Sequence, residues 1–165
     1  MSGLFRNLLT VILALPHQAS ATPTFKSVVW FRVGPFDTGI ATLKSDRYLL
    51  FAEAAQLDFV IRTGLLRTML RDRIGFVNAS QLVRFAKPIR LLDRVEVSSQ
   101  VVHTDEKFAY FSHVFQVHGA RHAEVLVKMK FKKGSLTVSR SALLGLFGGE
   151  KPDRLQCWDD ALAMV

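Results

Sequence analysis

The sequence predicts an α+β domain in which an antiparallel sheet wraps around one long central helix. Its 165 residues suit a single domain, and 49% hydrophobic with 22% charged residues is the composition of a folded chain. Between residues 48 and 61 apolar side chains fall on almost every side of a helix, and after residue 75 the apolar period becomes that of strands. A helix buried on most sides must be covered by the sheet, because no other predicted element is large enough.

The first elements of the domain are a strand, a tight turn and the long helix. Residues 26–36 are rich in β-branched and aromatic side chains, which predicts a strand that Gly34-Pro35 loosens near its end. The turn Asp37-Thr38-Gly39 follows. Ser45 or Asp46 is the predicted N-cap of a helix that begins at Arg47. Gly64 is predicted to separate this helix from a short second one over residues 65–70.

Four strands are predicted after the helices. Alternating apolar residues, with a bend at Lys87-Pro88, place them at residues 76–85, 94–103, 108–117 and 123–131. The turn at residues 118–121 predicts that the last two strands form an antiparallel hairpin. In the last strand, Lys128, Lys130 and Lys132 alternate with the apolar face.

The two ends of the chain are predicted to lie outside this domain, which spans residues 22–140. Residues 1–21 contain an apolar stretch at 8–15, too short to span a bilayer. We prefer a retained helix, which either packs on the domain or makes peripheral membrane contact through residues 4–15, over a cleaved secretory signal. Residues 141–147 predict a short apolar helix or turn, and residues 150–165, which hold Trp158 and mixed charge, predict a tail that packs on a neighbouring surface.

The net charge and the cysteine content indicate which classes of partner and which cellular compartment to expect. The chain carries 22 Lys and Arg against 14 Asp and Glu, a net charge of +8, which favours anionic partners such as acidic lipid or coenzyme A. The cations are scattered along the chain, so nucleic acid is not favoured. Cys157 is the only cysteine, which fits a reducing, cytoplasmic location. His118 and His122 flank a turn without a nearby carboxylate or third His, so no metal site is expected.

Three motifs resemble those of hot-dog fold thioesterases of the 4-hydroxybenzoyl-CoA thioesterase type. The turn at residues 37–40, Asp-Thr-Gly-Ile, is similar to the Asp-x-x-Gly or Asp-x-Gly turn after the first strand of that family. Residues 48–55, Tyr-Leu-Leu-Phe-Ala-Glu-Ala-Ala, are similar to its Tyr-x-x-Phe-x-Glu-x-Ala helix. Residues 88–95 are similar to its Pro-x-Arg-x-x-Asp crossover. The resemblance covers about residues 26–133, and the branch it is most similar to is that of animal thioesterase superfamily member six.

This resemblance implies a hot-dog fold and hydrolysis of an acyl-CoA thioester. It also implies a homodimer or tetramer with the acyl-CoA site at the subunit interface, and no cofactor apart from coenzyme A as part of the substrate. One run departs from the family. Many active members have His or Asn before the helix, as in Gly-His-Val-Asn, whereas this chain has Thr42 and Lys44 there.

Two carboxylates are candidates for catalysis. Asp37 would act as base or nucleophile, and the N–H groups at the helix start, around residues 45–48, would stabilise the oxyanion. The alternative is that Asp37 only caps its turn, as Asp does before Gly. Glu53, inside the buried helix, is either a second acid/base group or a partner for an Arg across a dimer, and we favour the structural role.

The remaining candidates would bind substrate. Around the turn and the helix start these are Gly39, Ser45, Asp46 and Tyr48. On the next strand, Ser80 and Gln81 either orient a water or the thioester, or bond only to the backbone. The cations able to meet coenzyme A phosphates are Arg84, Lys87 and Arg90, with Lys128, Lys130 and Lys132, although such residues often form a solvated face.

The leading functional hypothesis is therefore an acyl-CoA thioesterase that uses Asp37. The rival of a different class is a non-catalytic acyl-CoA or fatty-acyl binding protein with the same fold. A hot-dog hydratase is disfavoured, because no Asp and His occur together in the turn or at the helix start. The chain also has no Gly-x-Ser-x-Gly elbow and no phosphate-binding loop, which disfavours a serine hydrolase and a nucleotide-binding enzyme.

Overall fold

A long helix lies against a curled antiparallel sheet in the computed structural model, which describes residues 26–138 and 150–164. The strands are β1 (Ser27–Arg32), β2 (Gly75–Phe85), β3 (Arg94–Thr104), β4 (Ala109–Val117), β5 (Ala120–Lys133) and β6 (Leu136–Thr137). The helices are α1 (Ser45–Arg62), α2 (Leu65–Asp72) and α3 (Asp153–Ala163). The strand order is β1-β3-β4-β5-β2, with β6 beside β5, and this confirms the predicted α+β architecture.

Helix α1 is buried against the inner face of the sheet on every side but one. Phe51 and Phe59 are fully buried, with their rings 4.9 Å from Phe31 and 5.3 Å from Phe111. The open side carries Glu53, which is exposed. The expectation that Glu53 is buried is therefore wrong for the single chain, because the apolar pattern has one gap, at the stripe where this carboxylate lies.

Several boundaries differ from the predictions for local reasons. Strand β1 ends at Arg32, because Pro35 begins a short 3-10 turn (Pro35–Asp37) and has no N–H for strand pairing. Helix α1 begins at Ser45 with Lys44 as its N-cap, so the predicted caps Ser45 and Asp46 lie inside the first turn.

The hairpin between β4 and β5 turns through two residues. His118 and Gly119 have φ values of 50° and 76°, the left-handed conformation that two-residue hairpin turns require. The pairing β4–β5 therefore agrees with the sequence-based hairpin.

Helix α3 packs on the outer face of β4 and β5. Leu155 and Trp158 form a second apolar cluster with Tyr110 and Leu126. Lys128 lies beneath this helix, 9% exposed, with Nζ 2.7 Å from Asp159 Oδ1. The expectation that Lys128 is available to a substrate phosphate is therefore wrong, because α3 covers it.

Two sequence predictions fall outside the described residues. These are the apolar segment of residues 1–21, with its membrane contact or signal function, and the short helix at residues 141–147. Within residues 26–138 and 150–164, no helix is both long and apolar enough to cross a bilayer.

Candidate active site

Asp37 ends the 3-10 turn that follows β1 and is almost completely buried, with 3% of its surface exposed. Its Oδ2 accepts a hydrogen bond from the N–H of Gly34 at 3.0 Å. Its carbonyl oxygen accepts the N–H of Lys44, also at 3.0 Å, so the backbone of Asp37 is tied to the residue that precedes α1. The carboxylate thus lies near the start of the helix, as the sequence predicted, and it also caps its own turn.

The loop between Asp37 and α1 is held against the crossover that joins β2 to β3. Leu43 N–H donates to Ile89 O at 2.8 Å, and Leu91 N–H donates to Ala41 O at 3.1 Å. The crossover is closed in turn by Asp93, whose Oδ2 accepts the N–H of Arg90 at 2.7 Å. The first and third sequence motifs are therefore adjacent in the fold.

The first turn of α1 has no side-chain cap. Its N-cap is Lys44, which has no capping oxygen, and no side-chain hydrogen bond satisfies the cap. The N–H groups of Lys44 and Arg47 bond to the carbonyl oxygens of Asp37 and Lys44, both at 3.0 Å, so within the described residues those of Ser45 and Asp46 remain for a ligand. Together with the positive end of the helix dipole, they make this corner a suitable environment for a developing negative charge.

A pocket of about 300 Å³ opens where these segments meet. Such a volume is at the small end of the range for ligand sites. Its walls come from the loop before α1, the first turn of α1 and the end of β2, and consist of Thr42, Leu43, Ser45, Tyr48, Phe85, Ala86, Lys87 and Pro88. Thr42, which stands at the point of departure from the family pattern, is therefore a wall residue.

Tyr48 is the most buried polar group in this wall, with 4% of its surface exposed. Its ring lies 5.0 Å from that of Phe85 and 5.4 Å from that of Phe115. Burial raises the pKa of Tyr48, and a hydrogen bond with the backbone of Ile89 only partly offsets this. The phenol therefore stays protonated near neutral pH and can donate a hydrogen bond.

Of the predicted site residues, the pocket brings together Ser45, Tyr48 and Lys87. Arg90 is next to it, since its backbone pairs with Thr42. Asp37 is not one of the residues that line the pocket.

Other predicted site residues lie apart from the pocket. Gly39 is exposed, and a Cβ there would meet nothing within 4 Å, so no contact requires glycine. Asp46 is exposed and forms an ion pair with Arg47 at 3.4 Å. Ser80 and Gln81 lie on β2, roughly 13 Å or more from Phe85 at the usual rise of a strand.

Arg84 faces a second, smaller concavity on the outer side of the same corner. This concavity of about 120 Å³ shares Ala86 with the pocket and includes Arg121 and Glu124. Glu124 is buried and accepts hydrogen bonds from Ser112 at 2.7 Å and from Arg121. Arg121 is not among the residues predicted from the sequence, because its position in a hairpin gives no sign that it lies near Arg84.

A metal site is not apparent in the described part of the chain. Among residues 26–138 and 150–164, no three His, Cys, Asp or Glu side chains lie close enough together to hold an ion.

Comparison with known proteins identifies the family. A family model described as the thioesterase-like superfamily matches residues 40–137, from the loop before α1 to the end of β6. The chain belongs to the thioesterase-like superfamily. This membership makes the protein a thioester hydrolase. A search of curated proteins finds none that matches.

Solved structures of superfamily relatives share the fold. The probable thioesterase YbaW from Escherichia coli is 20% identical, with a TM-score of 0.66 over 71% of this chain and 92% of that chain. The DHNA-CoA thioesterase from Staphylococcus aureus is 14% identical, with a TM-score of 0.62 over 84% and 92%. SAV2348 from Staphylococcus aureus, solved in complex with CoA, is 12% identical, with a TM-score of 0.63 over 83% and 96%. These likenesses confirm the hot-dog fold.

Proposed function

We propose that this thioester hydrolase acts on an acyl-CoA, with the thioester bound in the pocket at the start of α1 and Asp37 as base or nucleophile. The observation that carries the proposal is that the loop after Asp37, the first turn of α1 and the end of β2 form one pocket, with the backbone of Asp37 bonded to the residue that precedes α1. The CoA complex of the fold relative SAV2348 supports coenzyme A as the carrier.

In the proposed reaction Asp37 takes a proton from water as the water oxygen attacks the thioester carbonyl carbon. The carbonyl oxygen becomes an oxyanion that the N–H groups of the first turn of α1 stabilise. When the carbon–sulfur bond breaks, the coenzyme A thiolate leaves and takes up a proton, and the acid is released. If Asp37 instead attacks directly, the carbon–sulfur bond breaks, the coenzyme A thiolate leaves and takes up a proton, and an anhydride forms between the Asp37 carboxylate and the acyl group. Water then hydrolyses the anhydride, which releases the acid and restores the carboxylate.

We assign the proposed substrate contacts from the polarity and charge of the side chains in and beside the pocket wall. Tyr48, Phe85 and Leu43 offer an apolar surface to the acyl group or the pantetheine arm. Lys87, Arg84 and Arg90 supply cations for the phosphates, and Arg121 borders the same corner. Ser45, at the helix start, is placed to orient the thioester.

We also propose that the active form is a homodimer joined through β2. This edge strand has eleven residues and exposes Val77, Leu82 and Phe85, which is a typical surface for pairing with a second copy. Such pairing would bring Glu53, Ser80 and Gln81 towards the interface. Because α3 covers the outer face of β4 and β5, a dimer is favoured over a tetramer that uses this face.

One observation favours the rival function, a non-catalytic acyl-CoA binding protein. Asp37 is 3% exposed and already accepts the N–H of Gly34. Asp37 is also absent from the residues that line the pocket. Capping this turn is the purely structural role that the sequence also allows for Asp37.

Release of free thiol from a panel of acyl-CoAs, by wild type and by Asp37→Asn, tests the catalytic role. Asn keeps an oxygen that accepts the Gly34 N–H but cannot act as a base, so we expect the turnover number to fall at least about 100-fold. Asp93→Asn is the matched control, since it changes the other turn-capping carboxylate of this corner and should retain most of the activity.

Equal, slow thiol release by wild type and Asp37→Asn would reject the catalytic role of Asp37. Tight binding of acyl-CoA without any release of thiol would establish the rival function. Glu53→Gln, assayed in parallel, tests the second carboxylate, which we expect to be dispensable for the chemical step.

A further inference from the structure

A strongly basic surface lies at the end of the molecule opposite the candidate pocket. We call it the basic pole and define it by six cations of α2, its C-cap and β5, namely Arg67, Arg71, Arg73, Lys130, Lys132 and Lys133. Leu70 on α2 and Leu136 on β6 lie among them and are 70% and 72% exposed. The thioester hydrolysis proposed above leaves these residues without a role.

The parts of the basic pole form one continuous surface. Gly75, three residues after the end of α2, pairs with Lys132. Lys132 and Lys133 pair in turn with β6, which carries Leu136. Arg71 and, to a smaller extent, Lys133 lower the pKa of Asp72, so the end of α2 and the end of β5 share one electrostatic environment.

Most of this charge is not neutralised locally. Asp72 is the only carboxylate that pairs with the basic pole in the described part of the chain, and it is engaged by Arg71 at 2.8 and 3.1 Å. The other five cations form no ion pair with a described residue. Lys130 Nζ lies over the Phe108 ring, 4.6 Å from its centre, and Lys132 Nζ donates a hydrogen bond to the carbonyl oxygen of Ser135 at 3.3 Å.

The basic pole is far from the candidate pocket of the same chain. Strand β2 runs from Gly75 at the pole to Phe85 in the pocket wall, which is roughly 33 Å at the usual rise of a strand. The 18 residues of α1 separate the two ends by roughly 27 Å. Its cations therefore cannot serve a coenzyme A bound in the pocket of their own chain.

We propose that the basic pole docks the protein on the surface of an anionic lipid bilayer. Clustered Lys and Arg side chains are attracted to acidic head groups, and exposed leucines among them can enter the boundary with the acyl chains. Nucleic acid would use the cations but not the leucines, and no exposed aromatic side chain lies among them for base stacking.

Sedimentation of the full chain with vesicles tests the proposal. The vesicles are phosphatidylcholine alone or phosphatidylcholine with phosphatidylserine. We expect binding only to the second kind, with an affinity that falls as salt is added. Replacing Arg67, Lys132 and Lys133 together by Gln should weaken binding about 100-fold, because each basic residue contributes about fivefold. Leu70→Ser should weaken binding further at high salt, where the apolar contribution remains.

The matched control removes the same charge elsewhere, at Lys26, Arg32 and Arg94, which are exposed residues outside the basic pole. It should retain most of the vesicle binding. Every variant keeps residues 1–25, so any membrane affinity of that segment is the same in all of them. Equal losses in the two triple variants, or equal binding to both kinds of vesicle, would overturn the proposal. Tighter binding to an RNA or DNA oligonucleotide than to the anionic vesicles would overturn the lipid as the partner.

One further outcome would reassign the basic pole to the substrate. In a two-fold dimer through β2 the strands are antiparallel, so the basic pole of one protomer lies beside the pocket of the other. If the pole variant raises KM for acyl-CoA and leaves vesicle binding unchanged, the cations serve coenzyme A across the dimer. The docking proposal is then wrong, while the proposed hydrolysis stands.

Discussion

His113 lies on the inner face of β4 and is completely buried. Its Nδ1 is 2.8 Å from Ser99 Oγ, and its ring stacks on Phe111 with the centroids 6.1 Å apart. Its Nε2 has no hydrogen-bond partner in the described part of the chain. Burial lowers the pKa of His113 from its ordinary value of 6.5 to about 3, because a charged imidazole has no compensating partner there.

This lowered pKa predicts that acid destabilises the fold. Below pH 6.5 the unfolded chain binds a proton at His113 that the folded chain does not bind until about pH 3. The stability present above pH 6.5 is therefore lost progressively over this window, by about 1.4 kcal/mol per pH unit. Near pH 5 the loss from this one residue is about 2 kcal/mol, a large part of the stability of an ordinary domain.

Urea unfolding at pH 7 and near pH 5, at one protein concentration, measures the effect. The test variant replaces His113 by Leu and Ser99 by Ala together, so that no buried hydroxyl is left without its partner. Other groups titrate in the same range, so the informative quantity is the difference between wild type and variant. We expect wild type to lose about 2 kcal/mol more than the variant between the two pH values.

His118→Asn is the matched control. His118 is exposed and has a positive φ that Asn tolerates, so this variant should keep the pH dependence of wild type. If the free energy of unfolding falls equally for wild type and the double variant between pH 7 and pH 5, the reasoning is refuted. A native imidazole of His113 that titrates near pH 6.5 by NMR would refute it as well, because burial would then not penalise the charge.

Three further predictions concern stability and use the same urea assay. Asp159→Ala should lower the free energy of unfolding by about 3 kcal/mol, because Lys128 then has no carboxylate partner beneath α3. Its control is Asp160→Ala, on the exposed side of α3, which should stay within about 0.5 kcal/mol of wild type. Equal effects of these two would show that α3 is not docked as described. Gly119→Ala should cost about 1–2 kcal/mol for its left-handed conformation. Gln56→Met should change stability by less than about 1 kcal/mol, because within the described residues its buried amide oxygen has no partner, which offsets the loss of the hydrogen bonds from its Nε2 to Asn78 Oδ1 and Met129 Sδ. A loss of about 2 kcal/mol or more would show that the amide as a whole stabilises the fold.

The sequence identified the elements of the domain because their signals are local. The near-continuous apolar run from residue 48 to residue 61 predicts a buried helix, and the alternation along β5, which only Leu126 interrupts, predicts a strand with one face in the core. The turns at Gly64 and Gly119 need left-handed backbone, which glycine adopts without cost. The family resemblance then joined these elements into the hot-dog fold, and the family and structural comparisons confirmed it.

The tertiary structure decided which polar groups are accessible. From sequence, Lys128 and Lys130 are equivalent outward lysines of β5, but α3 buries one of them against Asp159 and leaves the other half-exposed. Glu53 falls on the single open stripe of α1, whereas Gln56 and Asp58 on the same helix are buried. Periodicity gives the direction of a side chain relative to its own element and does not reveal which distant segment covers it.

In the candidate site, too, the sequence predicts the local position of each residue, and the tertiary structure decides which residues meet. The sequence alone placed Asp37 after β1, Tyr48 in the long helix and Lys87 before the crossover, because each belongs to a local turn, helix or strand end. Only the packing of the loop against Ile89 and Leu91 brought Tyr48 and Lys87 into one pocket and left Asp37 outside its wall. Such convergence depends on hydrogen bonds between residues about fifty positions apart, and no local pattern along the chain records them.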